Sequence, residues 1–398
     1  MISDKEYNSI SEDAYYVDST KEKGKEPIIK GSLVAEDKFI VIEPPVDATN
    51  GMQAMAVAPI VDGEPDLSHI VIAYAGTNSS DIRDLWADIT AIGLGDTGNI
   101  IPSSEPFTNG LTSQAFSALA FATMIEEKYP NSVITTTGHS LGESLGLYVA
   151  LKKGYLNTGF NGPDIASLIT DEEKEYMRLH PYQFINYRNY NDAIGGITGN
   201  MTKTAVYIDY GSDLSKSHNL KLWQFNKNNQ VIDGKGQVAT DNIYYREALV
   251  DVSTLSIYKR LLSAHGYTKN EEIFLDSQNA SLLAKNLTNI TNQAVKEVKG
   301  FRNQAVSKAE KIWDETSQVP FGFILSPFEV RDAYAEGGVT YSSVVETTRT
   351  HFDEKLKKSE DIDQVIENIK TSIQNGIEEK ISHDEQLAKD FTKWTNMT

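Results

Sequence analysis

In the stretch TTTGHSLGESLG, residues 135–146, Ser140 stands between Gly138 and Gly142. A serine hydroxyl attacks an acyl carbon only when a base takes its proton and an acid orients that base. Gly-x-Ser-x-Gly alone is a weak signal, so its surroundings decide its weight. SVITTT before it reads as a strand and ESLGLYVALKKG after it as a helix. GHSLG therefore occupies the sharp strand-to-helix turn on which a nucleophilic serine is presented. The glycines relieve crowding there, because side chains at 138 and 142 would collide with the neighbouring strand and helix. The helix also points its positive end at Ser140, which favours negative charge at that place.

A serine on such a turn takes its acid and then its histidine from further along the chain. The strongest acid candidate is Asp192, in FINYRNYNDAIGG, where a loop leaves a strand at the carboxyl edge of the sheet. Asp164 and Asp171 lie in polar stretches with no such strand before them. Histidines after Ser140 are His180, His218, His265, His351 and His383. His180 precedes the strand that leads to Asp192, His351 and His383 belong to the tail, and His265 ends a helical pattern that its imidazole can cap. His218, in GSDLSKSHNLKLW, is the base candidate. The tetrahedral intermediate needs two donors: the N–H of Leu141, and Thr77 after the strand of VIAYAGT.

These residues need elements to hold them. FIVIEPP (39–45), HIVIAYAG (69–76), SVITTTG (132–138) and YQFINYRN (182–189) read as strands. SQAFSALAFATMIEEKY (113–129) and ESLGLYVALKKG (143–154) read as helices, the second stopped at Gly154. Strands alternating with helices predict parallel pairing in an α/β sandwich over residues 1–244. From residue 245 the texture changes. Leu283, Leu287, Ile290, Ala294, Val298, Phe301, Ala305 and Ile312 fall at helical spacing, as do Ile362, Ile366, Ile369, Ile373, Ile377 and Ile381. The pattern predicts an all-helical part over 245–398 whose two stripes bury each other. A Pro-containing break, VPFGFILSPFEV (319–330), separates them as a turn or a small apolar docking patch.

Bulk properties exclude several classes. A formal charge of −19 opposes phosphate binding and adsorption to anionic membranes, so neither nucleic acid nor a charged lipid surface is expected as an electrostatic partner. The absence of cysteine removes disulfides, thiol nucleophiles and Cys-based metal sites. Asp81, Asp84 and Asp88 form no cation-binding loop pattern, and the chemistry requires neither metal nor cofactor. MISDKEYNSISEDAYY has no basic and apolar leader pattern, and the longest apolar run, AFSALAFATMI, is too short to span a bilayer.

VIAYAGTNSSDIRDLWADI, TTTGHSLGESLG and NYNDAI together resemble the class-3, fungal-type lipase family of α/β-hydrolases, over about residues 35–235. The resemblance implies Ser140 as nucleophile, Asp192 as acid, His218 as base, Thr77 as oxyanion residue and a lid around Trp86, roughly residues 79–95. Ala75 stands where that family usually has an arginine, and Glu143 where it commonly has a second glycine. The layout of a lipase-like front and a helical back also resembles type VII-secreted lipase toxins, whose helical C-terminal region serves export and partner binding. No W-x-G step supports it: Asp-Glu follows Trp313 and Thr-Asn follows Trp394. The resemblance implies a lipid or phospholipid substrate, transient membrane-surface contact, small helical partner proteins and leaderless secretion. An adaptor with an inactive hydrolase part, and a soluble carboxylesterase without lipid preference, are the alternatives.

Overall fold

The computed structural model describes residues 2–17, 26–48, 50–76, 109–213, 216–240, 243–263, 269–316 and 326–395. Its chain divides into two compact units, residues 1–264 and 265–398.

The first unit is built on one mixed sheet. Its strands are β1 (Leu33–Val34), β2 (Phe39–Val41), β3 (Val46–Asp47), β4 (Gln53–Val61), β5 (Glu64–Pro65), β6 (His69–Tyr74), β7 (Val133–Gly138), β8 (Leu156–Phe160), β9 (Phe184–Asn189) and β10 (Ala205–Ile208). They run in the order β1-β2-β4-β6-β7-β8-β9-β10, with β3 and β5 paired to β4. From β6 to β10 every pairing is parallel, while β1, β2 and β4 join antiparallel. This is the α/β fold expected from the alternation of strands and helices. Before β1 comes α1 (Asp4–Asp13), continued by a 3-10 turn at Ala14–Val17. The other helices of this unit are α2 (Asn109–Lys128), α3 (Leu141–Lys153), α4 (Asp171–Leu179), α5 (Ala193–Gly196) and α6 (Ile243–Ser263).

The sheet is covered on both faces, which is why β6 reads as a continuous apolar run. Ile70, Ile72 and Tyr74 face the layer that includes Ala118, Ile125 and Leu145 of α2 and α3. Val71 and Ala73 face the other way, into a cluster with Tyr7 and Ile10 of α1 and with Trp223. Removing a fully buried isoleucine such as Ile72 to alanine costs about 2–5 kcal/mol. α3 stops at Gly154, whose φ of 73° lies in the left-handed region that a C-terminal cap requires.

The second unit contains α7 (Lys269–Glu315), α8 (Pro327–Glu336), a π turn at Ser342–Glu346 and α9 (Thr347–Thr395). The 47 residues of α7 extend about 70 Å at the helical rise. Thr291 bonds Asp363, Arg302 bonds Asp353 and Arg349 bonds Glu310, so α7 and α9 run antiparallel. α8 begins with a capping box: Ser326 accepts from Glu329 N–H, Glu329 accepts from Ser326 N–H, and Pro327 fills the first turn. This helix takes up the end of the segment read as a break; residues 319–325 lie outside the described residues. The mutual burial expected of the two stripes is not what the hairpin does. Ala284, Val306 and Ala309 are buried, whereas Leu283, Phe301, Ile312, Ile362 and Ile369 are 44–60% exposed. Two helices share only one narrow seam, and the small residues occupy it.

Among the described residues no helix is long and apolar enough to cross a membrane.

Candidate active site

Ser140 sits between the end of β7 and the first residue of α3, with φ 58° and ψ −130°. A side chain larger than glycine in this region stores about 1–3 kcal/mol, which the surrounding structure must hold. It is held from two sides. Ser140 N–H donates to Phe160 O at 3.1 Å, and Glu143 N–H donates to Ser140 O at 3.0 Å. A Cβ on Gly142 would lie 2.2 Å from Tyr74 O, and one on Gly138 would lie 2.4 Å from the Gly142 carbonyl. No other residue fits either place. Leu141 opens α3, and its N–H belongs to the first helical turn, whose amides have no acceptor within the helix.

Asp192 follows β9 and caps α5: its Oδ1 accepts from Ile194 N–H at 3.0 Å. Its side chain is almost fully buried, and Gly195 leaves it room, since a Cβ there would lie 2.7 Å from Asp192 Oδ2. That same Oδ2 is 2.9 Å from His218 Nδ1. A carboxylate oxygen accepts, so Nδ1 carries the proton and Nε2 presents a lone pair.

The loop carrying His218 is fastened by its carbonyl groups. Ser217 O accepts from Asn161 Nδ2 at 3.2 Å and from Asn189 Nδ2 at 2.9 Å. His218 O accepts from His139 Nε2 at 2.7 Å, and Leu220 O accepts from Asn8 Nδ2 at 3.4 Å. The rings of His139 and His218 lie against each other, centroids 4.6 Å apart. His139 adjoins Ser140 in the chain, so the serine and the Asp192–His218 pair share one neighbourhood. Ser140 Oγ and His218 Nε2 are both buried and neither has a hydrogen-bond partner. The structure thus joins Asp192 to His218 and forms no hydrogen bond between His218 and Ser140. Bonds of that kind are commonly long in ligand-free enzymes and tighten when substrate fills the site.

Glu143 lies in the first turn of α3. It is completely buried and lies over Gly159 and Gly162, where a Cβ at 159 would come within 1.5 Å of its Oε2. Burial drives its carboxyl well above the usual range, against the opposing pull of the Asn157 amide and the Arg188 charge. Asn157 Nδ2 donates to its Oε1 at 2.7 Å. The floor beside Ser140 is therefore polar.

Asp164, Asp171 and His180, also weighed, have structural employment. Asp164 pins Thr202 and the turn at Ala166, and Asp171 pairs with Lys174. His180 ends α4, with Nδ1 2.7 Å from Tyr176 O, and His351 is exposed on α9. Thr77, Trp86, the 79–95 segment and His265 lie outside the described residues. No cluster of acidic, histidine or cysteine side chains able to hold a metal occurs among the described residues. Sequence reasoning passed over His139, Tyr15, Asn161 and Asn189. His139 alone carried a signal, its place inside the serine motif.

No family model matches the chain, and no curated protein does. Similar solved structures include three fungal lipases. A deletion mutant of the Rhizomucor miehei lipase in complex with its propeptide is 18% identical over 44% of this chain and 57% of that one, with a TM-score of 0.30. Lip2 lipase from Yarrowia lipolytica is 16% identical over 52% and 78%, at 0.34. Lipase II from Rhizopus niveus is 15% identical over 54% and 81%, at 0.36. The chain thus spans little more than half the length of the Rhizomucor protein. The sheet order and the geometry around Ser140 stand without these likenesses.

Proposed function

We propose that the first unit is a serine ester hydrolase that cleaves acyl esters of lipids through an acyl-Ser140 intermediate. One observation carries the reading. Asp192 orients His218 through a 2.9 Å bond at Nδ1, which leaves His218 Nε2 buried and without a partner, as is Ser140 Oγ on its strained turn beside His139. Each group then has one role. His218 Nε2 takes the hydroxyl proton as Ser140 Oγ bonds to the acyl carbon. The carbonyl oxygen becomes an oxyanion, met by Leu141 N–H and, from the family resemblance, by Thr77. His218 returns the proton to the leaving alcohol, and water activated by His218 releases the acid and restores Ser140. Asp192 keeps the imidazole in the tautomer that each transfer needs. Metal and organic cofactor have no part in this sequence of steps.

The preference for lipid, with its phospholipase and neutral-lipid forms, rests on the resemblance and on the 79–95 lid segment. Leaderless, type VII-like export of an antibacterial effector rests on the layout of the two units. Small helical partners would dock on the second unit, where exposed Leu283, Phe301, Ile362 and Ile369 supply apolar surface. That same surface favours a second reading, an adaptor whose hydrolase unit is inactive. Release of fatty acid from triglyceride or phospholipid emulsions separates the two. The wild-type chain is expected to release it, and Ser140→Ala to lower the rate by about four orders of magnitude or more. Equal rates for both would remove Ser140 from the chemistry, and no release by either would favour the adaptor.

A further inference from the structure

We propose that His139 is a positioning residue for the base His218, held in place by the N-terminal helix. The inference rests on the reading of Ser140, Asp192 and His218 given above.

The helix and the strand that ends in the serine turn are joined by a ladder of side chains. Tyr7 Oη donates to Thr135 Oγ1 at 3.0 Å, Ser11 Oγ pairs with Thr137 Oγ1 at 2.8 Å, and Tyr15 Oη lies 2.8 Å from His139 Nδ1. Each rung advances four residues along the helical segment and two along the strand. Four helical residues rise about 6.0 Å, and two strand residues advance about 6.6 Å, so three rungs stay in register. Alternation along β7 puts Thr135, Thr137 and His139 on the α1 face, leaving Thr136 and Gly138 for α3.

The last rung differs from the other two because it ends on a ring with a second nitrogen. His139 Nε2 is 2.7 Å from His218 O, and a carbonyl only accepts, so Nε2 carries the proton. Nδ1 of the neutral ring therefore accepts, and Tyr15 Oη donates to it. Tyr15 Oη in turn accepts from Gly76 N–H. Gly76 is required here, because a Cβ would lie 2.7 Å from His139 O, a backbone atom, and 2.5 Å from the tyrosine oxygen. The His218 carbonyl thus selects the tautomer that makes His139 a donor, Tyr15 holds the other side of the ring, and His139 fixes the main chain of the base. His218 is gripped at two points: Asp192 at Nδ1 and His139 at its carbonyl. α1 adds a third hold two residues on, from Asn8 to Leu220 O. Both nitrogens of His139 are used by protein, so it does not touch substrate. Its effect passes through His218.

The test uses the full chain and an alkyl fluorophosphonate, which reports activation of Ser140 without knowledge of the natural ester. The limiting labelling rate and the half-saturating probe concentration are measured separately, together with thermal unfolding. His139→Leu removes the donor, and His139→Gln keeps an N–H at the reach of Nε2. His139→Leu is expected to slow the limiting rate by about 10–100-fold with little change in half-saturation, because a small misplacement of the base is that costly. His139→Gln should restore most of the rate. Tyr15→Phe, which deletes one oxygen and serves if His139→Leu does not fold, should slow it about 3–10-fold. Wild-type rates in Tyr15→Phe and His139→Leu, or equal losses in the Leu and Gln variants, would overturn the proposal. A wild-type chain that takes no label would instead overturn the hydrolase reading beneath it.

Discussion

The two units differ in how they place polar and large apolar side chains. Around Ser140 the first unit encloses polar and charged groups, among them Glu143, Asn157, Asn161, Arg188 and Asp192, all at most 4% exposed. Along the hairpin of α7 and α9 the second unit leaves large apolar groups in the open and closes over alanine and valine. Burying polar groups costs stability unless each finds a partner; the first unit supplies partners for most of these groups and leaves Ser140 Oγ, Glu143 Oε2, Arg188 Nε and His218 Nε2 without one. The second exposes apolar surface for which the hairpin offers no cover.

Glycine-to-alanine substitution sharpens this contrast first. Gly142→Ala drives a methyl group to 2.2 Å from Tyr74 O, a backbone atom of the central sheet that cannot yield cheaply. A loss of about 3 kcal/mol, or failure to fold, is expected in chemical denaturation. A stable Gly142→Ala would contradict the crowding assigned to the serine turn. The second unit gives the opposite sign and the smallest effect. A Cβ on Gly300 of α7 meets nothing within 4 Å, so Gly300→Ala should stabilise by about 0.5–1 kcal/mol.

Between these lies the buried acid. Above the ordinary value of 4.5 and below its raised value in the fold, Glu143 holds a proton that the unfolded chain releases. Its contribution to stability is therefore full below 4.5 and declines as pH rises through that interval. Glu143→Gln keeps an acceptor for Asn157 and has no proton to lose. Its unfolding free energy should fall less steeply with pH from 4.5 upward than that of the wild type. Parallel pH curves would show that the carboxyl is charged in the fold. Glu329 of the second unit has the reverse dependence: the Ser326 cap lowers its value, so its stabilising effect is lost as pH falls.

What the sequence revealed follows the same division. β6, β7 and β9 were legible because β-branched and aromatic runs bounded by turns leave little choice. β4, QAMAVAPIV, and β8, LNTGF, were not: alanine, asparagine and glycine are poor strand formers, and only burial between two covered faces selects them. α1 was not read as a helix because much of its inward face is Tyr7, Asn8 and Ser11, anchored by hydrogen bonds in place of an apolar stripe. The strand-to-helix turn at Ser140 was legible from its glycines, and the pairing of Asp192 with His218 from chain order. The contacts of His139 were not, because its partners Tyr15 and His218 lie 124 and 79 residues away. In the hairpin the period was legible, while the side of each helix that would be covered was not. Spacing fixes a stripe, and only the number of neighbours decides its burial.

The account turns on Asp192 and His218 making the Ser140 hydroxyl reactive. The most direct measurement is the mass of the peptide containing Ser140 after the intact chain has reacted with an alkyl fluorophosphonate, compared with His218→Ala under the same conditions. One covalent phosphonyl adduct on Ser140 in the wild type, slowed by about 10⁴-fold in the variant, is the predicted result. An adduct on another residue, no adduct at all, or the same rate without the imidazole would contradict it.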